Sequence, residues 1–428
     1  EMGIRDRHWT RSTQHLQNPW CTHRVHAASA ASASARAASM THVRQAAMPD
    51  ASALPPRLWA PKPLAHAAHR PMAAACRQPI TPPPRLGHRA LSQRFPLRPW
   101  HCPCKTCSIS RLILPSKLVR RLSKALKRAL RKQVRTRHSH AAGFEEKKNT
   151  ADLVTETDQH TEKLVCQAIR EKYPDHKFIG EESWAAGEQA AITNEPTWII
   201  DPIDGTTNFV KGFPFVCISI GFVYHGDPTI GVIYAPFLGY LYAARKGHGA
   251  FITTPLHPQR RSLPLTQPAP LPSFKQALVA FEWGSDRSAE IMEKKTRSFQ
   301  RLVGDRDSGV PGGEMALGVR SMGSAALNFA HVAMGTLDAY WEIGCWAWDV
   351  CAGVVIAREA GCLVLGSQAH AAHALDGPVY PPPTTPDVLT GRKYLVVRAI
   401  GDSPHESGAD AQKRIARTFY GAVEEWDL

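Results

Sequence analysis

The chain has 428 residues, 43% hydrophobic and 21% charged, which suits one large domain or two average ones, and no run approaches the ~18 consecutive apolar residues of a membrane span. Its ten cysteines, at positions 21, 76, 102, 104, 107, 166, 217, 345, 351 and 362, are too scattered for a small disulfide framework and imply a reducing, cytoplasmic setting. The formal charge of +15 points toward nucleic acid only until it is divided by position. Residues 1–140 carry 26 Lys and Arg against three acids (Glu1, Asp6, Asp50), a charge of +23, whereas residues 141–428 carry 26 against 34, a charge of −8. No specific nucleic-acid or membrane partner is therefore predicted.

Residues 1–110 form a basic leader rich in Ala, Ser, Arg, His and Pro, and no acid occurs between Asp50 and Glu145. Such a composition cannot bury a core, so the leader is expected to be disordered, or to be sequence foreign to the native polypeptide. Acid-poor, Arg- and Ser-rich leaders also serve as transit peptides, which leaves organelle targeting open. His101, Cys102, Cys104 and Cys107 have no second Cys pair at finger spacing and read as a weak metal motif. Within residues 111–140, Leu118, Leu122, Leu126 and Leu130 recur among ten Lys or Arg between Lys117 and Arg137, the pattern of a basic amphipathic helix.

From residue 141 to 428 the texture is that of an α/β domain, with strand and helix signals separated by Gly/Pro turns. A helix is predicted over Thr157–Tyr173, stopped by Pro174. Strands follow at Lys177–Ile179, Thr197–Asp201, Val216–Tyr224, Thr229–Tyr234 and Tyr240–Ala244. Further helices are predicted at Ala289–Leu302, Ser324–Met334, Asp349–Ala360 and Ala409–Val423.

The chemistry-bearing residues cluster at the ends of these elements. After the apolar run Trp198–Ile200 the chain reads Asp201-Pro202-Ile203-Asp204-Gly205-Thr206. Pro202 disrupts the strand ladder, so the second carboxylate can turn back beside the first. Gly205 tolerates unusual dihedrals and lets the amides of Gly205 and Thr206 face an anion. Glu181 and Glu182 end a second strand, and Asp349 opens a helix. Oxygen ligands from several strand ends suit Mg²⁺, which prefers carboxylates, carbonyls and water to thiolates.

At these residues the sequence resembles the inositol monophosphatase family. The resemblance rests on Ala151–Asp158, Gly180–Ser183, Trp198–Phe209, Arg320–Ala326 and Asp338–Gly353. It implies a layered α/β (α+β) sandwich and a lithium-sensitive homodimer that hydrolyses myo-inositol monophosphate with two or three Mg²⁺ per site. Transferred residue by residue, it assigns metal binding to Glu181, Asp201, the carbonyl of Ile203, Asp204 and Asp349, with Glu182 in a supporting position. Asp158 and Thr206 would orient or deprotonate the attacking water, alongside Glu181. Lys147 would lie on a mobile loop, and Gly205, Thr206, Ser285, Ala325 and Glu342 would contact a small phosphorylated polyol.

Three departures bear on substrate choice: Trp346 where animal relatives often carry His, a Gly-rich insertion through Gly304–Gly318, and a Pro-rich stretch over Ala369–Thr390. Two other functions therefore stand beside the first. One is a related phosphatase acting on histidinol phosphate, a nucleoside bisphosphate or another sugar phosphate; the other is a non-enzymatic regulatory binding protein.

Overall fold

The computed structural model describes residues 124, 145–146, 153–154, 156–188 and 190–428. The expectations for the 1–110 leader and for Lys147 lie outside these residues, as does the basic helix apart from Lys124, which is helical.

The described chain begins with a two-residue ladder, β1 (Glu145–Glu146) against β2 (Leu153–Val154). Helix α1 (Glu156–Arg170) follows, burying Asp158, Thr161, Glu162, Val165, Cys166 and Ile169 on one face. The three- and four-residue spacing is that of one helix face, on which Val165 and Ile169 are buried and Leu164 and Ala168 partly so. Next come β3 (Lys177–Gly180), α2 (Glu181–Ala185), β4 (Thr197–Asp204) and α3 (Thr206–Lys211). A meander of β5 (Cys217–Tyr224), β6 (Asp227–Ala235), β7 (Tyr240–Arg245), β8 (Ala250–Thr253) and β9 (Arg261–Ser262) completes a seven-stranded sheet in sequential order. Only β3 and β4 pair in parallel there; the other neighbours are antiparallel.

The second half builds a five-stranded sheet. Its elements in chain order are β10 (Leu278–Phe281), α4 (Ala289–Val303), β11 (Gly318–Arg320), α5 (Ala325–Met334), β12 (Ala339–Ile343), α6 (Ala347–Glu359) and β13 (Leu363–Leu365). Two short helices, α7 (Gln368–Ala374) and α8 (Pro386–Thr390), then precede β14 (Lys393–Val397) and α9 (Gly408–Ala422). The strand order is β11-β10-β12-β14-β13, with β10 parallel to both neighbours and β14 antiparallel to both of its own.

Helices α5 and α6 are apolar almost all round, which marks them as interior elements. They pack on each other between the two sheets, in a core that includes Ile233, Tyr242, Phe329, Tyr340, Val354 and Val396. Helix α1 covers β4 on the outer face of the first sheet, and α4 and α9 pack over the second. The result is the layered α/β sandwich that the sequence implied.

Two glycines set the spacing between helix and sheet. A Cβ on Gly231 would lie 2.3 Å from the Ala352 carbonyl oxygen, and one on Gly221 would lie 2.3 Å from Cys351 Sγ. The second turn of helix α6 thus rests directly on the backbone of β5 and β6. The five described cysteines are all free and buried, and burial pushes their thiols toward the neutral form.

The structure shifts several predicted boundaries. β4 continues past Asp201 to Asp204, and Glu342 lies within β12, a strand that was not predicted. The Pro-rich stretch contains α8 and part of α7, and the Gly-rich insertion is closed by an Asp305–Glu314 bridge. These extensions depend on neighbouring strands and backbone partners that local periodicity does not encode.

Candidate active site

Asp201 pairs with Ser219 and Asp204 with Cys217, so β4 carries one residue more than β5 between these positions. Residues three apart on a regular strand face opposite ways; the bulge restores them to one side. Pro202, which has no N–H to donate, stands within it. Asp349 enters from the first turn of α6, and ligand oxygens of Asp201, Asp204 and Asp349 lie within 4.8 Å of one another.

Each carboxylate is held differently. Asp201 accepts the Ile203 amide at 2.9 Å. Asp204 accepts Ser324 Oγ at 2.5 Å and the amides of Ala326 and Ala325 at 2.8 and 3.2 Å, at the start of α5. Asp349 accepts the Trp346 amide at 2.6 Å, its side chain reaching back to the N-cap residue of α6, and Ser219 Oγ donates to the Trp348 carbonyl at 3.0 Å.

Burial and mutual repulsion dominate the electrostatics. Burial, and then the charges of Glu181, Asp204 and Asp349, push the Asp201 carboxyl well above its ordinary range. Asp204 is pushed up to about 6 by burial against the pull of its donors. Asp349 rises to about 7 through burial and the Asp204 charge. The cluster therefore carries more negative charge than its surroundings neutralise. Its all-oxygen donors fit a hard cation such as Mg²⁺.

Glu181 opens α2 directly after β3, and its charge acts on Asp201. Its neighbour Glu182 offers its amide to Glu162 at 2.8 Å, and Ser183 donates to the same carboxylate from its amide at 3.1 Å and its hydroxyl at 2.5 Å. Glu162 thus fixes the segment that bears Glu181. Asp158, one turn earlier on α1, is buried on the same face. Thr206 Oγ1 donates to the Ile203 carbonyl at 3.0 Å, and Gly205 adopts φ 90° at the start of α3.

The predicted substrate residues divide. Ala325 is buried and its amide is engaged by Asp204, so it reaches the site through backbone only. Glu342 is half-buried on β12, hydrogen-bonded by Tyr340, and pushed up to about 8 by burial and the Glu282 charge. Ser285 lies in the loop Trp283–Asp286, which buried Lys295 ties from α4 by donating to the carbonyls of Trp283 at 2.5 Å and Asp286 at 2.8 Å.

Sequence reasoning missed Glu162, Ser219, Glu282 and Lys295. Glu282 is buried and accepts Ser321 Oγ at 2.7 Å, the amides of Met322 and Gly323 at 2.7 and 2.9 Å, and Asn328 Nδ2 at 2.9 Å. It shapes the loop that leads into Ser324 and the Asp204 cradle. The available sequence signal was an acid at the end of an apolar strand, as at Glu181.

Two sheets enclosing a buried helix pair, with a carboxylate cluster that could hold a metal ion at the strand ends, define a layered α/β enzyme class. The sequence model of the inositol monophosphatase family matches residues 114–417. "Protein qutG" of Emericella nidulans is 40% identical over 294 residues, covering 66% of this chain and 86% of that protein. "Inositol monophosphatase 2" of Saccharomyces cerevisiae is 39% identical over 293 residues, covering 67% and 88%. Among solved structures, inositol monophosphatase from Anabaena superposes with TM-score 0.50 at 26% identity, covering 72% of this chain and 95% of that one. The extragenic suppressor protein suhB of Bartonella henselae gives TM-score 0.53 at 21% identity, covering 74% and 98%, a likeness of fold. The chain belongs to the inositol monophosphatase family and is a phosphatase acting on inositol phosphate or related phosphorylated substrates.

Proposed function

We propose that residues 141–428 hydrolyse myo-inositol monophosphate to inositol and phosphate with Mg²⁺ as the metal. The observation that carries this reading is the Asp201–Asp204–Asp349 cluster, three carboxylates within 4.8 Å and short of compensating positive charge. With Glu181 and the Ile203 carbonyl they would hold two or three Mg²⁺, consistent with the family's metal dependence. Bound there, Mg²⁺ supplies Lewis acidity toward the phosphoryl oxygens and lowers the pKa of water.

The chain's own groups supply the rest. Thr206 commits its hydroxyl proton to Ile203, leaving oxygen lone pairs to accept from an attacking water, with Asp158 as the second orienting group. Backbone amides at Gly205 and Thr206 face the phosphoryl oxygens and stabilise the charge spread over them in the transition state. Glu342 accepts from ring hydroxyls of the polyol, and Ser285 contacts it from the loop held by Lys295. No protein nucleophile is needed.

A second reading keeps this chemistry and changes the polyol. It is favoured by the relatives that include a "Quinic acid degradation cluster protein x" of Neurospora crassa, 40% identical over 294 residues, and by Trp346 beside the metal ligand Asp349. Phosphate release should be measured from inositol, histidinol, nucleoside and sugar phosphates, with and without Mg²⁺. Mg²⁺-dependent release greatest from inositol monophosphate is expected. A preferred different monoester selects the second reading, and release indifferent to chelation overturns the metal assignment. Li⁺ inhibition and sedimentation as a homodimer test the remaining family expectations. Among the described residues no helix is long and apolar enough to cross a membrane.

A further inference from the structure

The connection between β12 and α6 is the three-residue loop Gly344-Cys345-Trp346, and it delivers Asp349 to the cation-binding cluster. One residue from a distant part of the chain grips this loop. The Gly344 amide donates to the Arg392 carbonyl at 2.8 Å, and Arg392 Nη2 donates back to the Gly344 carbonyl at 2.7 Å. The Arg392 guanidinium carbon lies 3.8 Å from the Trp346 ring centroid, and the same indole stacks on Trp348 at 5.2 Å with 13° between planes. Trp346 in turn gives its amide to Asp349 at 2.6 Å.

Arg392 is unusual in three respects. Its φ is 56°, the left-handed region that a long side chain occupies at a cost, although Gly391 stands next to it with φ −71°. It makes no ion pair among the described residues, though its charge is felt at Asp349. Its Nε is buried with no hydrogen-bond partner. A side chain serving only to anchor β14 would not need this conformation or this position beside an acidic cluster.

We propose that Arg392 is a positioning residue for metal binding, a strap that acts through Gly344 and Trp346 to set where Asp349 presents its carboxylate. This rests on the metal-dependent phosphatase reading. The sign of the expected effect separates it from a purely electrostatic role. A positive charge beside a cation site repels the cation, so deleting that charge alone would tighten Mg²⁺ binding. Loss of the strap would weaken it.

The test uses the full chain as Arg392→Gly, Trp346→Leu and the double variant. Glycine suits φ 56° and preserves the backbone bond to Gly344, so it removes the side chain alone. Mg²⁺ affinity is read by tryptophan fluorescence titration, independently of turnover, and by the Mg²⁺ concentration for half-maximal phosphate release. Thermal melting monitors the fold. Arg392→Gly is expected to raise the required Mg²⁺ about tenfold, with kcat at saturating Mg²⁺ and Tm near native. The double variant should be no worse than the poorer single one, since both interrupt one strap. Tighter or unchanged Mg²⁺ binding in Arg392→Gly overturns the proposal, as does a fall in kcat and Tm that saturating Mg²⁺ does not restore. If the native chain binds Mg²⁺ but releases phosphate from no monoester, the phosphatase reading fails while the fluorescence titrations still decide the role of Arg392.

Discussion

Two acidic regions face the interior of this protein, and they have opposite characters. Asp201, Asp204 and Asp349 converge at strand ends with too little positive charge around them, and two of these carboxyls are pushed up to about 6 and about 7. Glu282, just past the end of β10, is as buried as Asp204 and like it meets four donors, two of them backbone amides, but it stands outside the cluster of three converging carboxylates. Nearby Lys295 is likewise satisfied by two carbonyls. The first region could hold a metal ion from outside the chain. The second is complete in itself and serves as scaffold. A buried acid thus points to function when other carboxylates crowd it beyond what its donors offset, and to structure when its donors suffice.

Removing charge should break the contrast most visibly. Asp201→Asn or Asp349→Asn should lower phosphate release at saturating Mg²⁺ by more than about 100-fold, because a ligand is lost rather than its support. The same variants should keep or raise Tm in chelator, since repulsion within the cluster is relieved. Near-native turnover would show that the metal lies elsewhere.

Glu282 should respond in the opposite sense. Glu282→Ala leaves several donors buried and unpaired and is expected to cost about 3 kcal/mol of stability, measured by denaturant unfolding. Glu282→Gln should cost less, because the Ser321 hydroxyl can turn to accept from the new amide. A stable Glu282→Ala would remove the scaffold half of the comparison.

The pH dependence sharpens the distinction further. Asp349, raised from its ordinary 3.8 to about 7, binds protons more tightly in the folded than in the unfolded chain. Metal-free stability should therefore fall as pH rises from about 4 toward about 7, following the linkage slope. With Mg²⁺ present that fall should flatten or reverse, and the Mg²⁺ requirement should grow as pH drops below about 7, because protons compete for the same oxygens. Thermal melts across pH with Mg²⁺ or chelator check both statements.

The smallest effect is expected at the substrate corner. Ser285→Ala removes one hydrogen-bonding group and should raise KM for the phosphorylated polyol about fivefold, with kcat and Tm little changed. A change in Mg²⁺ requirement instead would place Ser285 with the metal.

The clustered carboxylates were legible because chemistry and sequence coincide there. Asp201, Pro202, Ile203 and Asp204 are contiguous, and the helix and strand signals around them follow simple periods. The supports were not legible. Glu162 acts on Ser183 across 21 positions, Glu282 on Gly323 across 41 and Arg392 on Gly344 across 48, with no local pattern linking donor to acceptor.

By itself the sequence determined the domain's α/β texture, the family, the oxygen-rich donor set, the strands β3–β7 and the longer helices, since these depend on periodicity and contiguous residue types, whereas none of the five strands of the second sheet was predicted. Only the tertiary structure decided that a bulge turns Asp201 and Asp204 to one side, that Gly221 and Gly231 let α6 rest on the sheet, and which acids are satisfied. Those outcomes depend on which backbone groups meet across the fold, and a linear sequence states the groups without stating the meeting.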